Sequence, residues 1–190
     1  MGIRELLERN RSVRRFQGDR RIGEDELKGL VELARFCASG RNIQPLKDRI
    51  VCSPEECAAV FPHLKWAGYY SAWDGPEPSE RPVAYLVQCL DTEIAMDCLC
   101  DDGLQLEAIT LGATERGIGG CIIKAFNPAG VAEALGLPEG MKPRYVLALG
   151  YPAEEVRLVP MDEDAPEGYK YYRDGDVQCV PKRRSLLIHR

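Results

Sequence analysis

Near the middle of the chain, Pro82 to Leu90 reads PVAYLVQCL, apolar at almost every position. A strand with one face in water alternates apolar and polar residues. A run like this one predicts a central strand covered on both faces. The chain must therefore supply two layers of cover. Asp25 to Ala38 predicts one covering helix, with Leu27, Leu30, Val31, Ala34, Cys37 and Ala38 at helical spacing. Glu93 to Arg116 predicts the longest helix, ended by Gly117-Ile118-Gly119-Gly120.

Shorter signals fill the frame. Ile3, Leu6 and Leu7 predict a helix over 3–9. Asp48 to Cys52, Cys121 to Ile123 and Arg144 to Leu149 read as strands. Ser53-Pro54-Glu55-Glu56 is an N-cap, a proline at N1 and acids in the first turn of a helix running to about Phe61. Asn127-Pro128 opens a helix that stops near Gly136. Residues 71–82 are rich in proline and glycine and predict a surface loop. Beyond Pro152 periodicity fades. That tail nonetheless carries Tyr169, Tyr171, Tyr172, Val177 and Val180, too apolar for disorder. It is expected to pack on something, a second subunit being one candidate. The 190 residues suffice for one domain with a sizeable core, and no internal repeat or domain boundary is visible.

Charge and composition exclude several functions. Residues 1–21 and 182–190 are each net +4, while the whole chain is −5. An acidic body with two short basic ends is a poor footprint for nucleic acid, which needs a broad positive face. It suits a small anion held from two sides. Charge alone also fits two merely solvated ends. The apolar runs are too short to span a bilayer, and the start lacks the apolar core of a signal peptide, so a cytoplasmic protein is expected. The eight cysteines, mostly within apolar runs, are expected to be free thiols. With two histidines and no second cysteine pair to join Cys98 and Cys100, no metal site is expected. Asp97, Asp101 and Asp102 are expected on a solvated helix surface. There is no Walker loop, no His-Glu-x-x-His and no nucleophile elbow. Gly117 to Ile122 follows a helix and precedes a strand, the wrong order for a dinucleotide fingerprint. Any hard chemistry is therefore expected of a cofactor, and no catalytic side chain is assigned.

One constellation remains. Arg11-Ser12-Val13-Arg14-Arg15-Phe16 gathers guanidinium groups and a hydroxyl, donors that match phosphate oxygens. Their alternation requires a turn or an extended segment to converge them; a charged helix end is the other reading.

Here the sequence resembles the nitroreductase family of FMN flavoproteins. Asn10 to Phe16 is similar to the family's opening Arg-Arg-Ser-x-Arg-x-Phe. Ala38-Ser39-Gly40-Arg41-Asn42-Ile43-Gln44-Pro45 is similar to its Pro-Ser-x-x-Asn-x-Gln-Pro. Gly117 to Lys124 resembles Gly-Leu-Gly-x-Cys-x-Ile-Gly, Gly150-Tyr151-Pro152 a Gly-Tyr-Pro strand end, and Lys182-Arg183-Arg184 a C-terminal Lys-x-Arg. The five occur in family order. Asn10, Ala38 and Lys124 depart from the pattern, as does the absence of a tryptophan after Pro45.

The resemblance implies an α+β, three-layer sandwich, a mostly antiparallel sheet flanked by helices, in an interlocked homodimer with two FMN sites at the interface. It covers 1–190, with 153–190 an extended tail. It implies that Arg11, Ser12 and Arg14 meet Lys182 and Arg184 at the FMN phosphate. Ser39, Gly40 and Asn42 would approach from the other subunit, and Gly119, Gly120, Ile122 and Ile123 would run along the ring. The implied activity is reduction of a small acceptor, such as a nitroaromatic or quinone, by NADH or NADPH in ping-pong order. Reductive dehalogenation, flavin fragmentation and a non-catalytic flavin sensor are the alternatives. Leu64 to Tyr69, with Trp66, is a candidate aromatic cover, against a core role for Trp66. Lys124 either meets an anionic substrate or points outward.

Overall fold

The computed structural model describes residues 2–186. Its centre is a four-stranded antiparallel sheet of β1 (Leu46–Val51), β2 (Ala84–Asp91), β3 (Gly119–Ile123) and β4 (Met141–Gly150), in the order β1-β2-β4-β3. All eight residues of β2 are buried, and β2 pairs on both sides, as the apolar run requires. Its side chains serve two cores. Ala84 and Leu86 pack with Leu27, Leu30 and Ala34 of α2 (Glu24–Ala34) and with Leu106, Ile109 and Ala113 of α4 (Asp101–Glu115). Tyr85, Val87 and Cys89 face Cys57 and Val60 of α3 (Pro54–Val60) and Val131 of α5 (Pro128–Ala134). The result is the three-layer α+β sandwich, with helices on both faces of an antiparallel sheet.

Local chemistry fixes the shorter elements. Ser53 Oγ accepts from Glu56 N (3.1 Å) and starts α3. Asn127 caps α5 in the same way, its side chain accepting from Gly130 N (3.2 Å). The helix α1 (Ile3–Arg9) forms at the expected place but buries none of its residues.

Two expectations need correction. The long helix does not begin at Glu93. A turn at 92–94 and Leu99 at φ +53° precede α4, which opens only at Asp101. Thr92 is drawn away by Gly140, whose carbonyl accepts from both its amide (3.0 Å) and its hydroxyl (2.9 Å). The tail is also more regular than its sequence shows. It forms a second sheet, β5 (Glu155–Pro160), β6 (Tyr172–Asp174) and β7 (Val177–Lys182), in the order β5-β7-β6. The parallel β5–β7 pairing joins segments far apart in sequence, which local patterning does not reveal. Arg190 and His189 lie outside the described residues. All eight cysteines are free. Among the described residues no helix is long and apolar enough to cross a membrane.

Candidate functional site

The segment after α1 runs extended beside the sheet edge. Ser12 bridges Gly120 of β3, and Val13 N donates to the Gly120 carbonyl (3.0 Å). Phe16 bridges Pro152, and Ala153 N donates to the Arg15 carbonyl (2.9 Å). Val13 and Phe16 anchor it in the core. The extended form, rather than a helix end, is thus what converges the basic groups. A Cβ on Gly119 would lie 2.9 Å from Val13 Cγ2 and from Pro152 Cγ, so this close approach needs glycine.

Beside this segment lies a cleft of about 240 Å³. It gathers Arg11, Ser12 and Arg14 from one end of the chain, Gly120 and Ile122 of β3, and Lys182 from the other end. The remaining expected residues lie elsewhere. Gly119 lines the neighbouring hollow, Ile123 is buried in the core, and Arg184 lines a third hollow with Asp162, Glu163 and Asp164. Ser39, Gly40 and Asn42 form a turn against the N-terminal end of α4 and do not line the cleft, which meets α4 at Glu107 and Thr110.

The guanidinium of Arg14 is held on several sides. It donates to Gln178 Oε1 (2.8 Å) and to the Ser12 carbonyl (3.3 Å), and it stacks on the Tyr171 ring at 4.4 Å. Gln178 is buried, and its amide also donates to the Ser12 carbonyl (3.3 Å). Below, the Glu154 carboxylate accepts from Arg14 N (2.5 Å), Arg15 N (3.1 Å) and the Arg173 guanidinium (2.6 Å). Arg11 donates to the Leu7 carbonyl (2.6 Å), while its Nε is buried without a partner among the described residues. Burial lowers the Arg11 pKa, opposed by the negative charge of Glu107. Asn10 donates to Thr110 Oγ1 (2.9 Å) rather than adding a cation. Three cations and a hydroxyl against the single carboxylate of Glu107 make this a place for an anion. The orphaned Arg11 Nε and the approach of strand backbone at Gly120 fit a phosphate with an extended body. The volume, short of the roughly 300–1,000 Å³ that encloses a drug-sized ligand, fits only part of a flavin nucleotide.

Gln178, Glu154 and Glu107 were not singled out in the sequence, and Tyr171 was named there only as part of the apolar tail. Gln178 had one faint signal, a polar residue within the apolar run Val177 to Val180. One further expectation fails, and two open readings are decided. Asp101 and Asp102 are buried, not solvated: Asp101 accepts from Ser39 Oγ (2.6 Å) and Gly40 N (2.9 Å), and Asp102 pairs with Arg144 (3.3 Å). Trp66 is core, packed against Phe61 at 5.9 Å and closed over by Gly75, and is no cover for a ligand. Lys124 donates to the Arg144 carbonyl (3.3 Å) and lies over Tyr145, away from the cleft.

The turn 39–44 is strained. Arg41 (φ +53°), Asn42 (φ +56°) and Gln44 (φ +55°) are left-handed. This costs roughly 1–2 kcal/mol per residue for side chains other than glycine, less for asparagine.

The fold and cleft define an α+β protein with a cation-lined cleft at the edge of its sheet. The fold is that of nitroreductases, and residues 99–151 match the model of the nitroreductase family. A nitroreductase family protein from Clostridium novyi NT is 24% identical, with a TM-score of 0.67 over 80% of this chain and 87% of that one. One from Streptococcus pneumoniae TIGR4 is 18% identical, with a TM-score of 0.68 over 87% and 96%. An FMN-dependent nitroreductase from Clostridium difficile R20291 is 18% identical, with a TM-score of 0.66 over 90% and 98%. No curated protein matches the chain.

Proposed function

We propose that this chain is an FMN-dependent oxidoreductase of the nitroreductase family, a single FMN-binding domain that works as a homodimer. The observation that carries the reading is the cleft, where Arg11, Ser12 and Arg14 meet Lys182 beside Gly120 and Ile122. In this reading Arg11, Arg14 and Lys182 bind the FMN phosphate and Ser12 adds a hydroxyl hydrogen bond. Ile122, 41% exposed at the edge of β3, offers apolar contact to the body of the cofactor. Bound FMN supplies hydride and electron transfer. NADH or NADPH is the donor and a nitroaromatic or quinone the acceptor, each taking the same place in turn. The fold shared with an FMN-dependent nitroreductase supports this choice of cofactor.

The dimer is supported by apolar surface with no cover in one chain. Ile3, Leu7, Phe36, Leu99 and Leu104 are between 42% and 72% exposed. Exposed apolar side chains of this size fit an interaction surface. The small cleft gains its missing wall if a second copy closes it.

The test is an absorbance spectrum of the purified protein, followed by anaerobic titration with NADH and then NADPH. A yellow protein, bleached by one nicotinamide and recoloured by a quinone, is expected. A colourless chain that leaves added FMN free sinks the proposal. Flavin that binds but is bleached by neither nicotinamide leaves a binding protein without turnover.

A further inference from the structure

Past Phe16 the chain turns at 17–20 before α2 begins. The turn is pinned to the segment that leads into β2. Phe16 N donates to the Glu80 carbonyl (2.9 Å), and Gly18 N donates to the Ser79 carbonyl (3.0 Å). A Cβ on Gly18 would lie 2.6 Å from the Ser79 oxygen, so this approach needs glycine. Between the pinned segments and α3 lies a separate hollow of about 150 Å³, which shares no residue with the cleft. Tyr85 of β2, buried Cys57 of α3 and Phe61 give it an apolar lining. Two arginines complete it: Arg21 after the turn and Arg81 before β2. No acid lines it.

Other arginines of this chain meet a carboxylate: Arg15 meets Glu80, Arg49 meets Glu56 and Arg173 meets Glu154. Arg21 and Arg81 have no ion-pair or hydrogen-bond partner among the described residues. Arg81 stacks on the Phe61 ring at 3.9 Å, and its Nε is buried. A guanidinium partly withdrawn from water with no acceptor is a charge left uncompensated. Both charges act on the lining. Burial pushes the Cys57 thiol up to about 11, and Arg21 opposes it. Burial likewise raises the Tyr85 phenol, helped by Cys57 and opposed by Arg81. Glu55 and Glu56 also act on Cys57, but neither lines the hollow, and Glu56 is taken by Arg49. The volume, well short of the roughly 300–1,000 Å³ of a drug-sized site, suits one small ion. Two guanidinium forks can share the oxygens of one tetrahedral dianion, whereas a planar carboxylate fills one fork.

We propose that the hollow between Arg21 and Arg81 is an anion site in its own right, which takes one phosphate-sized tetrahedral oxyanion. It does not rest on the flavin reading, since no residue is common to the hollow and the cleft. Arg81 offers a guanidinium already oriented by Phe61, and Arg21 closes on the ion from beside the turn. The bound ion ties the turn 17–20 to the entry of β2 and so stabilises the folded chain by mass action.

The experiment titrates inorganic phosphate into the purified protein at constant ionic strength. Two-dimensional NMR of the arginine Nε–H groups and thermal melting are the readouts. The Arg81 signal is identified by its loss in Arg81→Lys. It is expected to shift saturably with phosphate, and the melting temperature to rise along the same curve. Arg14→Ala, a change in the cleft, leaves the Arg81 response intact. Arg21→Ala, at an exposed position that leaves the fold standing, weakens the response at least tenfold. Acetate acts at least tenfold more weakly than phosphate. An Arg81 signal that phosphate leaves in place, or that chloride moves equally, overturns the proposal. So does a response as strong in Arg21→Ala as in the wild type, or one lost in Arg14→Ala, which would assign the ion to the cleft. Acetate equal to phosphate overturns the choice of a tetrahedral dianion. None of these outcomes touches the flavin reading, and a chain that ignores FMN yet shows the Arg81 response leaves this inference standing.

Discussion

Gln178 of β7 accepts a hydrogen bond from the Arg14 guanidinium at 2.8 Å, joining the two ends of the chain inside the protein. The same carboxamide donates to the Ser12 carbonyl, so one buried side chain aims both the cation and the backbone that carry the proposed phosphate site. Arg14→Ala is expected to weaken FMN binding by roughly 1.5–3 kcal/mol, the range for a hydrogen bond to a charged group. Gln178→Ala leaves the cation in place but unaimed, and is expected to cost about 1 kcal/mol. Because the two act through one contact, the double variant should fall short of the sum by more than about 0.5 kcal/mol. Fluorescence titration of FMN against all four proteins reads this directly. Additive losses would mean that Gln178 does not aim Arg14.

Glu154 governs stability rather than binding. Its carboxylate accepts from two backbone amides, of Arg14 and Arg15, and from Arg173, with the carboxylate side chain only 2% exposed. Glu154→Ala strands those donors and is expected to destabilise the fold by about 3 kcal/mol, the lower end for breaking a buried ion pair, since Arg173 can turn partly to water. Urea denaturation measures it. A loss below ~1 kcal/mol would show that the tail sheet holds without this anchor.

Asp48 gives a pH signature. It lies opposite Gln88 across the β1–β2 pair, and neither Asp48 Oδ1 nor the Gln88 carboxamide has a hydrogen-bond partner among the described residues. Burial raises its pKa from 3.8 to about 6. The folded state therefore binds this proton more tightly than the unfolded state. The stability it confers is complete below pH 3.8 and is lost as pH rises through about 6. Asp48→Asn, which mimics the protonated form, should be more stable than the wild type at neutral pH by on the order of 2 kcal/mol, and the gain should shrink on acidification through this window. Denaturation curves at several pH values decide it. A variant less stable than the wild type at neutral pH contradicts the burial argument.

What the sequence discloses and what it hides divide along a physical line. The central strand was legible because burial on both faces writes apolar residues at nearly every position from Val83 to Leu90. The caps Ser53 and Asn127 were legible because their chemistry is local. Arg11, Ser12 and Arg14 were legible as donors, though only the bridge from Ser12 to Gly120 shows that they converge in an extended segment. Asp101 was misread because a carboxylate on a helix is ordinarily solvated. Its partners, Ser39 and Gly40, lie about sixty residues earlier in the chain. The tail sheet was hidden for the same reason, since β5 meets β7 and not its sequence neighbour. Gln178 combined both difficulties, a polar residue in an apolar strand with its partner at the other end of the chain.

The two basic residues expected to act together at the C-terminal end should separate under mutation. Lys182 lines the cleft with Arg11 and Arg14, whereas Arg184 lines a hollow with Asp162, Glu163 and Asp164. There it shares the hollow with three acids, and Arg183 meets Glu163 at 3.7 Å. Lys182 is exposed, so its contribution to holding a phosphate is that of a solvated ion pair, about 1 kcal/mol at low ionic strength. Lys182→Ala should therefore weaken FMN binding by about that amount, and the difference should fade in high salt as screening shortens the reach of both charges. Arg184→Ala should cost less than half as much at any salt. Titrations at two ionic strengths distinguish the pair. Equal losses would mean that the tail turns Arg184 toward the phosphate when flavin is bound, and that the cleft has three cationic walls in one chain rather than two.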